Sequence, residues 1–233
     1  MSFYPVFVDL EGKTALVVGG GEVAERKIGS LMECGASIRL VSRELNQKVK
    51  QLVKSEAVDY VEGEFDKSHL DGVFLAIAAT DDTVLNSSIS RMAREVGVLV
   101  NAVDQPADCD FIVPSVVKRG DLILAISTSG KSPATAKMIR KELEAQYGDE
   151  YRVFLQIMGR VRKVVLSLGY TQKENSMIFK EIVHSRILDA VERGDWKGVS
   201  ACLRAILPPS PNVNALLKNL VRFANNWNDG MME

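Results

Sequence analysis

Histidine is almost missing from this chain: His69 and His184 are the only two in 233 residues. A multi-histidine metal centre is thereby excluded, and no metal site is expected. Cysteine is nearly as scarce. Cys34, Cys109 and Cys202 are three in number and far apart. Neither a disulfide framework nor a zinc knuckle fits them, so reduced thiols in the cytoplasm are expected. An excess of either charge is lacking too, with 29 Lys and Arg against 30 Asp and Glu and a formal net charge of −1. No global pull toward nucleic acid or an anionic membrane follows. No apolar run reaches the ~20 residues needed to span a bilayer. Residues 1–7 carry no basic segment ahead of an apolar one, so no signal peptide is expected. Internal repeats and low-complexity tracts are absent.

What is present is ordinary for a globular protein, 46% hydrophobic and 25% charged. Its most informative stretch is Thr14 to Ala24, TALVVGGGEVA. An apolar strand-like run stops at three glycines, and a helical pattern begins at Glu22. Gly19, Gly21 and Ala24 fit the G-x-G-x-x-A dinucleotide fingerprint. Gly19 allows the tight turn, Gly21 lets the backbone approach a pyrophosphate, and Ala24 lets helix and strand pack closely. The first amides of the helix, from Glu22 and Val23, then face the anion. A tight turn with no ligand is the plainer alternative.

Strands and helices then alternate, predicting a Rossmann-like, doubly wound parallel sheet. Ser37–Val41 is a second strand and ends at Ser42, Arg43 and Glu44. Ser42 offers a hydroxyl to a ribose. Arg43 suits adenine stacking or a 2′-phosphate, so these residues alone leave NAD and NADP open. A helix over 46–55 and a short strand over 58–61 follow. His69 reads as a surface histidine without a second ligand. Val73–Ala78 is apolar throughout, as in a strand buried on both faces. Thr80 at its tip is a candidate cofactor contact; alternatively Thr80 or Asp81 caps the helix expected over 83–96. The strand from Val98 ends near Asn101 and Asp104. A carboxylate there is placed to take a proton while hydride leaves for a cofactor; alternatively Asp104 or Asn101 caps the turn.

Beyond residue 110 the alternation stops. Phe111–Ser115 and Leu122–Ile126 read as a hairpin. The hydroxyl-rich loop Ser127, Thr128, Ser129, Gly130, Lys131 then opens a helix from Ala134 to about Tyr147 and suits an anionic group. The remainder is helical: Tyr151–Leu168, Thr171–Arg193, Trp196–Leu207 and Asn212–Trp227. Three parts are expected: a nucleotide-binding domain over 1–110, a connecting segment over 111–148, and a small all-helical domain over 149–233.

Three stretches, PVFVDLEGKTALVVGGGEVAERK, NAVDQPADCDFIVPS and AISTSGKSPATAKMIRKELE, together resemble the precorrin-2 dehydrogenase family, the dehydrogenase–ferrochelatase module of sirohaem synthesis. They occur in the family's order and spacing. The resemblance implies NAD-dependent oxidation of precorrin-2 to sirohydrochlorin, a polycarboxylate tetrapyrrole, and, as in some members, insertion of ferrous iron at the same site. It puts the catalytic aspartate on Asp104. The family's glycine loop falls on Gly19, Gly20, Gly21, Glu22 and Val23 and its second-strand tip on Ser42 and Arg43, which favours NAD despite the arginine; Thr80 and Asn101, at the ends of later strands, complete the expected cofactor contacts. Substrate contacts fall on Ser127, Thr128, Ser129 and Lys131, although many members carry two glycines where this chain has Ser129-Gly130. An intertwined homodimer is implied, with 111–148 as the exchanged dimerisation segment. Larger members fuse a methyltransferase domain, which this chain is expected to lack. Two other readings stay open: a different Rossmann-type NAD(P) oxidoreductase, and an NAD(H)-sensing module without chemistry.

Overall fold

Val17 and its neighbours Leu16 and Val18 are buried, yet they point to opposite sides of one strand. That alternation builds the first of two units. The structure is a computed structural model describing residues 3–209 and 211–218. Strands β1 (Thr14–Val18), β2 (Ser37–Ser42), β3 (Asp59–Glu62), β4 (Val73–Ala78) and β5 (Leu99–Ala102) form one sheet in the order β3-β2-β1-β4-β5. Every pairing in it is parallel. Helices α1 (Glu22–Met32), α2 (Gln47–Lys54) and α3 (Thr83–Glu95) are the crossovers.

Two cores result. Ala15, Val17, Ile38, Leu40, Leu75 and Ile77 pack with Ile28 of α1 and Val49 of α2. Leu16, Val18, Val41, Ala76, Ala78 and Val100 pack with Ile89 and Ala93 of α3. Both faces of the sheet are thus covered, the doubly wound arrangement expected from the alternating sequence. Strand order reverses between β1 and β4, so their C-terminal ends diverge into the crevice such folds use for ligands.

The first unit runs to Val113 and takes in Ser129–Lys131; the second begins at Pro114 and resumes at Ser132. In the second, β6 (Ser115–Arg119) and β7 (Leu122–Ile126) form an antiparallel hairpin turned at Gly120. The sequence reading put its first strand at Phe111–Ser115, four residues too early. Pro114 lacks the N–H a ladder needs, and strand pairing starts only beyond it. Helix α4 (Pro133–Gln146), capped by Ser132, packs against the hairpin.

Helices α5 (Glu150–Ser167), α6 (Gln172–His184), α7 (Ile187–Glu192), α8 (Trp196–Ile206) and α9 (Val213–Leu217) follow. They enclose a core that includes Phe154, Ile157, Val161, Ile182, Ile187 and Leu203. The single helix expected over 171–193 is two. Ser185 leaves the helical conformation at ψ 176°, and its hydroxyl donates to the Ile182 carbonyl while accepting the Ile187 amide. A serine side chain competing with the backbone ladder in this way ends a helix that apolar spacing alone would continue. Of the helix expected over 212–227, the part beyond residue 218 lies outside the described residues. Among the described residues, no helix is long and apolar enough to cross a membrane.

Candidate functional site

The crevice at the ends of β1, β2 and β4 is a cleft of about 610 Å³. Gly19, Gly20 and Gly21 form one wall, with Ser42 to Asn46, Gly63 to Phe65 and Ala79 to Asp82 around them. The three glycines have different reasons to be there. Gly19 sits at φ +117°, and a Cβ on it would collide with the Ala79 carbonyl. A Cβ on Gly20 would collide with the Glu44 carbonyl. A Cβ on Gly21 would meet nothing within 4 Å, so what its absence preserves is open space in the cleft.

Gly21 is also the N-cap of α1, and it offers no side-chain cap to the first amides. Those donors stay available to an anion at the positive end of the helix dipole. An open cradle beside uncapped helix amides fits the pyrophosphate of a dinucleotide. Glu22 and Val23 begin that first turn. Glu25, one turn on, is held elsewhere, accepting from Lys48 at 2.9 Å and Asn46 at 2.8 Å. The Lys48 bond, followed by the Asn46 bond, keeps its carboxyl below the usual carboxylate range.

Ser42 and Arg43 line the cleft, each with an internal partner. The Ser42 hydroxyl donates to the Glu44 carbonyl at 2.6 Å. The Arg43 guanidinium pairs with Glu64 at 2.5 Å. Thr80 also lines the cleft and is locked by Asn86, which is buried. Its hydroxyl donates to Asn86 Oδ1 at 2.7 Å, and Asn86 Nδ2 donates to the Thr80 carbonyl at 2.9 Å. The cap of α3 is neither Thr80 nor Asp81 but Asp82, whose carboxylate accepts from the amides of Val84 and Leu85.

Asn101 and Asp104 lie at the tip of β5, on the same sheet edge but outside the cleft lining. Asn101 is buried, and its Nδ2 donates to the Phe111 carbonyl at 2.9 Å and to Cys109 Sγ at 3.4 Å. It therefore ties down the loop that follows Asp104. Asp104 itself is exposed and left-handed, at φ +59°. Val103 still donates to the Ala78 carbonyl, and Gln105 Nε2 grips the Thr83 carbonyl and the Ser87 hydroxyl. Fixed on both sides, Asp104 presents its carboxylate from a turn rather than from the strand. Only Glu56, Asp104 and Ser129 combine a side chain with positive φ among the described residues. Two of the three are sequence candidates, and such backbone outliers concentrate at functional sites.

The Ser127 loop is a tight turn, with Ser129 at φ +53° and Gly130 at φ +77°. Thr128 Oγ1 accepts the Ser132 amide at 3.1 Å, closing it. Lys131 is exposed. None of these residues lines the glycine cleft.

Sequence reasoning missed Glu64, Asn86 and Lys27. Glu64 acts through a pairing with Arg43 that spans 21 residues, and Asn86 through bonds to Thr80 six residues away. Lys27 stood inside the quoted GGGEVAERK run without a role. It is half-buried, and burial, followed by the neighbouring Arg26, pulls its ammonium below the usual lysine range, while Cys109 and Asp104 act in the opposite direction. Burial raises the Cys109 thiol above its ordinary value, which leaves it a poor nucleophile. Among the described residues, no group of three His, Cys, Asp or Glu is arranged to hold a metal.

Comparison with known proteins agrees with this geometry. Residues 6–115 match the family described as "Putative NAD(P)-binding", and residues 119–146 match "Sirohaem biosynthesis protein central". The chain is 38% identical over 194 residues to a siroheme synthase of Photobacterium profundum, covering 83% of this chain and 41% of that protein. It is 36% identical over 194 residues to a siroheme synthase of Photorhabdus laumondii, with the same coverage of 83% and 41%. It thus spans about two fifths of the length of these curated relatives. Among solved structures, SirC, a precorrin-2 dehydrogenase, superposes with a TM-score of 0.73 at 25% identity, covering 88% of this chain and 98% of that one.

Proposed function

We propose that this chain is a member of the sirohaem synthase family, its residues 6–115 matching a putative NAD(P)-binding family and its residues 119–146 the central part of sirohaem biosynthesis proteins, and that it oxidises precorrin-2 to sirohydrochlorin with NAD as the oxidant. The observation that carries this reading is Asp104. It is a carboxylate fixed in a left-handed turn just past β5, on the sheet edge where the glycine cleft opens. Bound NAD supplies the hydride acceptor. The chain's residues do the rest. The amides of Gly21, Glu22 and Val23 receive the pyrophosphate, and Ser42, Arg43 and Thr80 border the adenosine end. One oxygen of Asp104 takes the proton that leaves as hydride departs, so the substrate loses two electrons and two hydrogens in total.

The substrate's carboxylates need cationic and hydroxyl donors. Ser127, Thr128, Ser129 and Lys131 are assigned to them, and Lys27 joins the set because it is a half-buried ammonium within electrostatic reach of Asp104. Lys27→Met is expected to lower kcat/KM for precorrin-2 about ten-fold, mostly through KM, the size of one charge-assisted hydrogen bond. Steady-state kinetics at saturating NAD checks this; a fall in kcat alone would assign Lys27 to the chemical step instead.

Ferrous iron is a second substrate in the same proposal. Asp104 would receive protons released by the pyrrole nitrogens as the metal enters sirohydrochlorin. We further propose a cytoplasmic homodimer with 111–148 as its dimerisation segment. The test is anaerobic mixing of protein, NAD and precorrin-2 while tetrapyrrole absorbance is followed. Conversion to sirohydrochlorin is expected; cofactor binding without conversion would favour an NAD(H)-sensing role. Adding ferrous iron to sirohydrochlorin tests chelation separately.

A further inference from the structure

Dinucleotide-binding folds commonly choose between NAD and NADP with the residue at the tip of the second strand. Here that tip offers Ser42 and Arg43. An arginine in this place would ordinarily receive a 2′-phosphate, and serine carries no charge to refuse one. Yet the guanidinium is already engaged. Gly63 follows β3 at φ +138°, and its amide donates to the Ser42 carbonyl at 3.1 Å. The Tyr60 hydroxyl donates to the same carbonyl at 3.0 Å. Both bonds fasten the tip of β3 to the tip of β2. The turn at Gly63 then brings Glu64 to Arg43, at 2.5 Å. Both side chains line the cleft.

The rest of the rim points the same way. Glu44, Glu64, Asp81 and Asp82 line the cleft, and Arg43 is the only cation among the described residues that do. Asp82 is occupied in capping α3. A neutral ribose hydroxyl suits such a rim, with carboxylates to accept its hydrogen bond. A dianionic phosphate meets repulsion from these carboxylates, together with an arginine already paired with one of them.

We propose that Glu64, contributed by the loop after β3 rather than by β2, selects NAD over NADP by pairing with Arg43. The proposal rests on the cofactor reading above and names the residue that sets its specificity. Because the pair is exposed, with 70% and 75% of the side chains accessible, replacing either member leaves the fold intact.

Fluorescence titration of NADH and NADPH against the full chain tests it. The unaltered protein is expected to bind NADH more tightly. Glu64→Gln is expected to tighten NADPH about ten-fold, as one charge-assisted bond is gained, with the gain shrinking at high salt. NADH affinity should change by less than about three-fold. The double variant Glu64→Gln, Arg43→Ala should lose the gain, because the freed guanidinium is its source. Unchanged NADPH affinity in Glu64→Gln would overturn the proposal, as would an equal gain in the double variant. An unaltered protein that binds NADPH as tightly as NADH would overturn it too, while leaving the dinucleotide reading in place. Binding of neither nucleotide would instead remove the cofactor reading, and this proposal with it.

Discussion

Asp104→Asn is expected to abolish most precorrin-2 oxidation, lowering kcat about 1,000-fold, while the protein folds normally and binds NADH unchanged. The size follows from losing a positioned general base, worth about 100- to 10,000-fold. The choice of asparagine makes the result readable. Asn tolerates left-handed backbone as well as Asp does, so the turn at φ +59° survives. Asp104 is exposed, so no buried partner is orphaned. Anaerobic absorbance kinetics would give the rate, with circular dichroism and NADH titration as controls. Full activity in Asp104→Asn would mean that another group, or solvent, takes the proton. The same variant should slow iron insertion, if one carboxylate serves both reactions.

A pair of single-methyl additions, Gly19→Ala and Gly21→Ala, should separate the turn from the ligand site. Gly19→Ala forces an alanine to φ +117° and drives its Cβ into the Ala79 carbonyl. Strain of this kind costs about 1–3 kcal/mol before the collision is counted. Melting temperature should fall by about 5–10 °C, since a protein of this length loses roughly 2–4 °C per kcal/mol. Gly21→Ala places its methyl where nothing lies within 4 Å, at an extended backbone position any residue can take. Its melting temperature should stay within about 3 °C, allowing for alanine being a poor N-cap. NADH affinity should nevertheless drop at least about ten-fold, because the methyl fills the cradle. Thermal melts and NADH titrations of both variants decide the matter. Equal loss of stability in both would mean that Gly21 serves the fold and not a ligand.

The parts of this architecture written in local sequence were the readable ones. Thr14–Ala24 carries its strand, turn and helix start within eleven residues, so its geometry needs no distant information. Val73–Ala78 announced a central strand because burial on both faces leaves no polar position. The hairpin was recognised but displaced, because the apolar run through Pro114 looked like a strand while pairing requires the amide proline lacks. The helix spanning 171–193 was overextended, since apolar periodicity continues across Ser185 and only side-chain hydrogen bonds reveal the break. At the cleft, the glycines, Ser42, Arg43 and Thr80 were identifiable from strand ends. Glu64 was not, because it stands 21 residues from Arg43 and joins it only through the pairing of β2 with β3. Asn101 is expected among the cofactor contacts, and its Nδ2 also holds Cys109 and the Phe111 carbonyl. A strand-tip position alone does not say which way a side chain turns.

Asp110 has a consequence for the protein's behaviour in a crowded solution. An outermost strand presents free amides and carbonyls that another chain can pair with, the usual seed of aggregation. On β5, Val100 faces outward in this sense. Its carbonyl accepts the Asp110 amide at 2.8 Å, and its own amide donates to the Asp110 carboxylate at 3.1 Å. Arg94 anchors that carboxylate from α3 at 2.8 Å. One residue therefore mimics both halves of a neighbouring strand at the point where recruitment would begin. The opposite margin, β3, is only four residues long and is bounded by the exposed acids Asp59 and Glu62. Neither border of the sheet is an open template, so strand-to-strand fusion of copies through it is disfavoured from both sides.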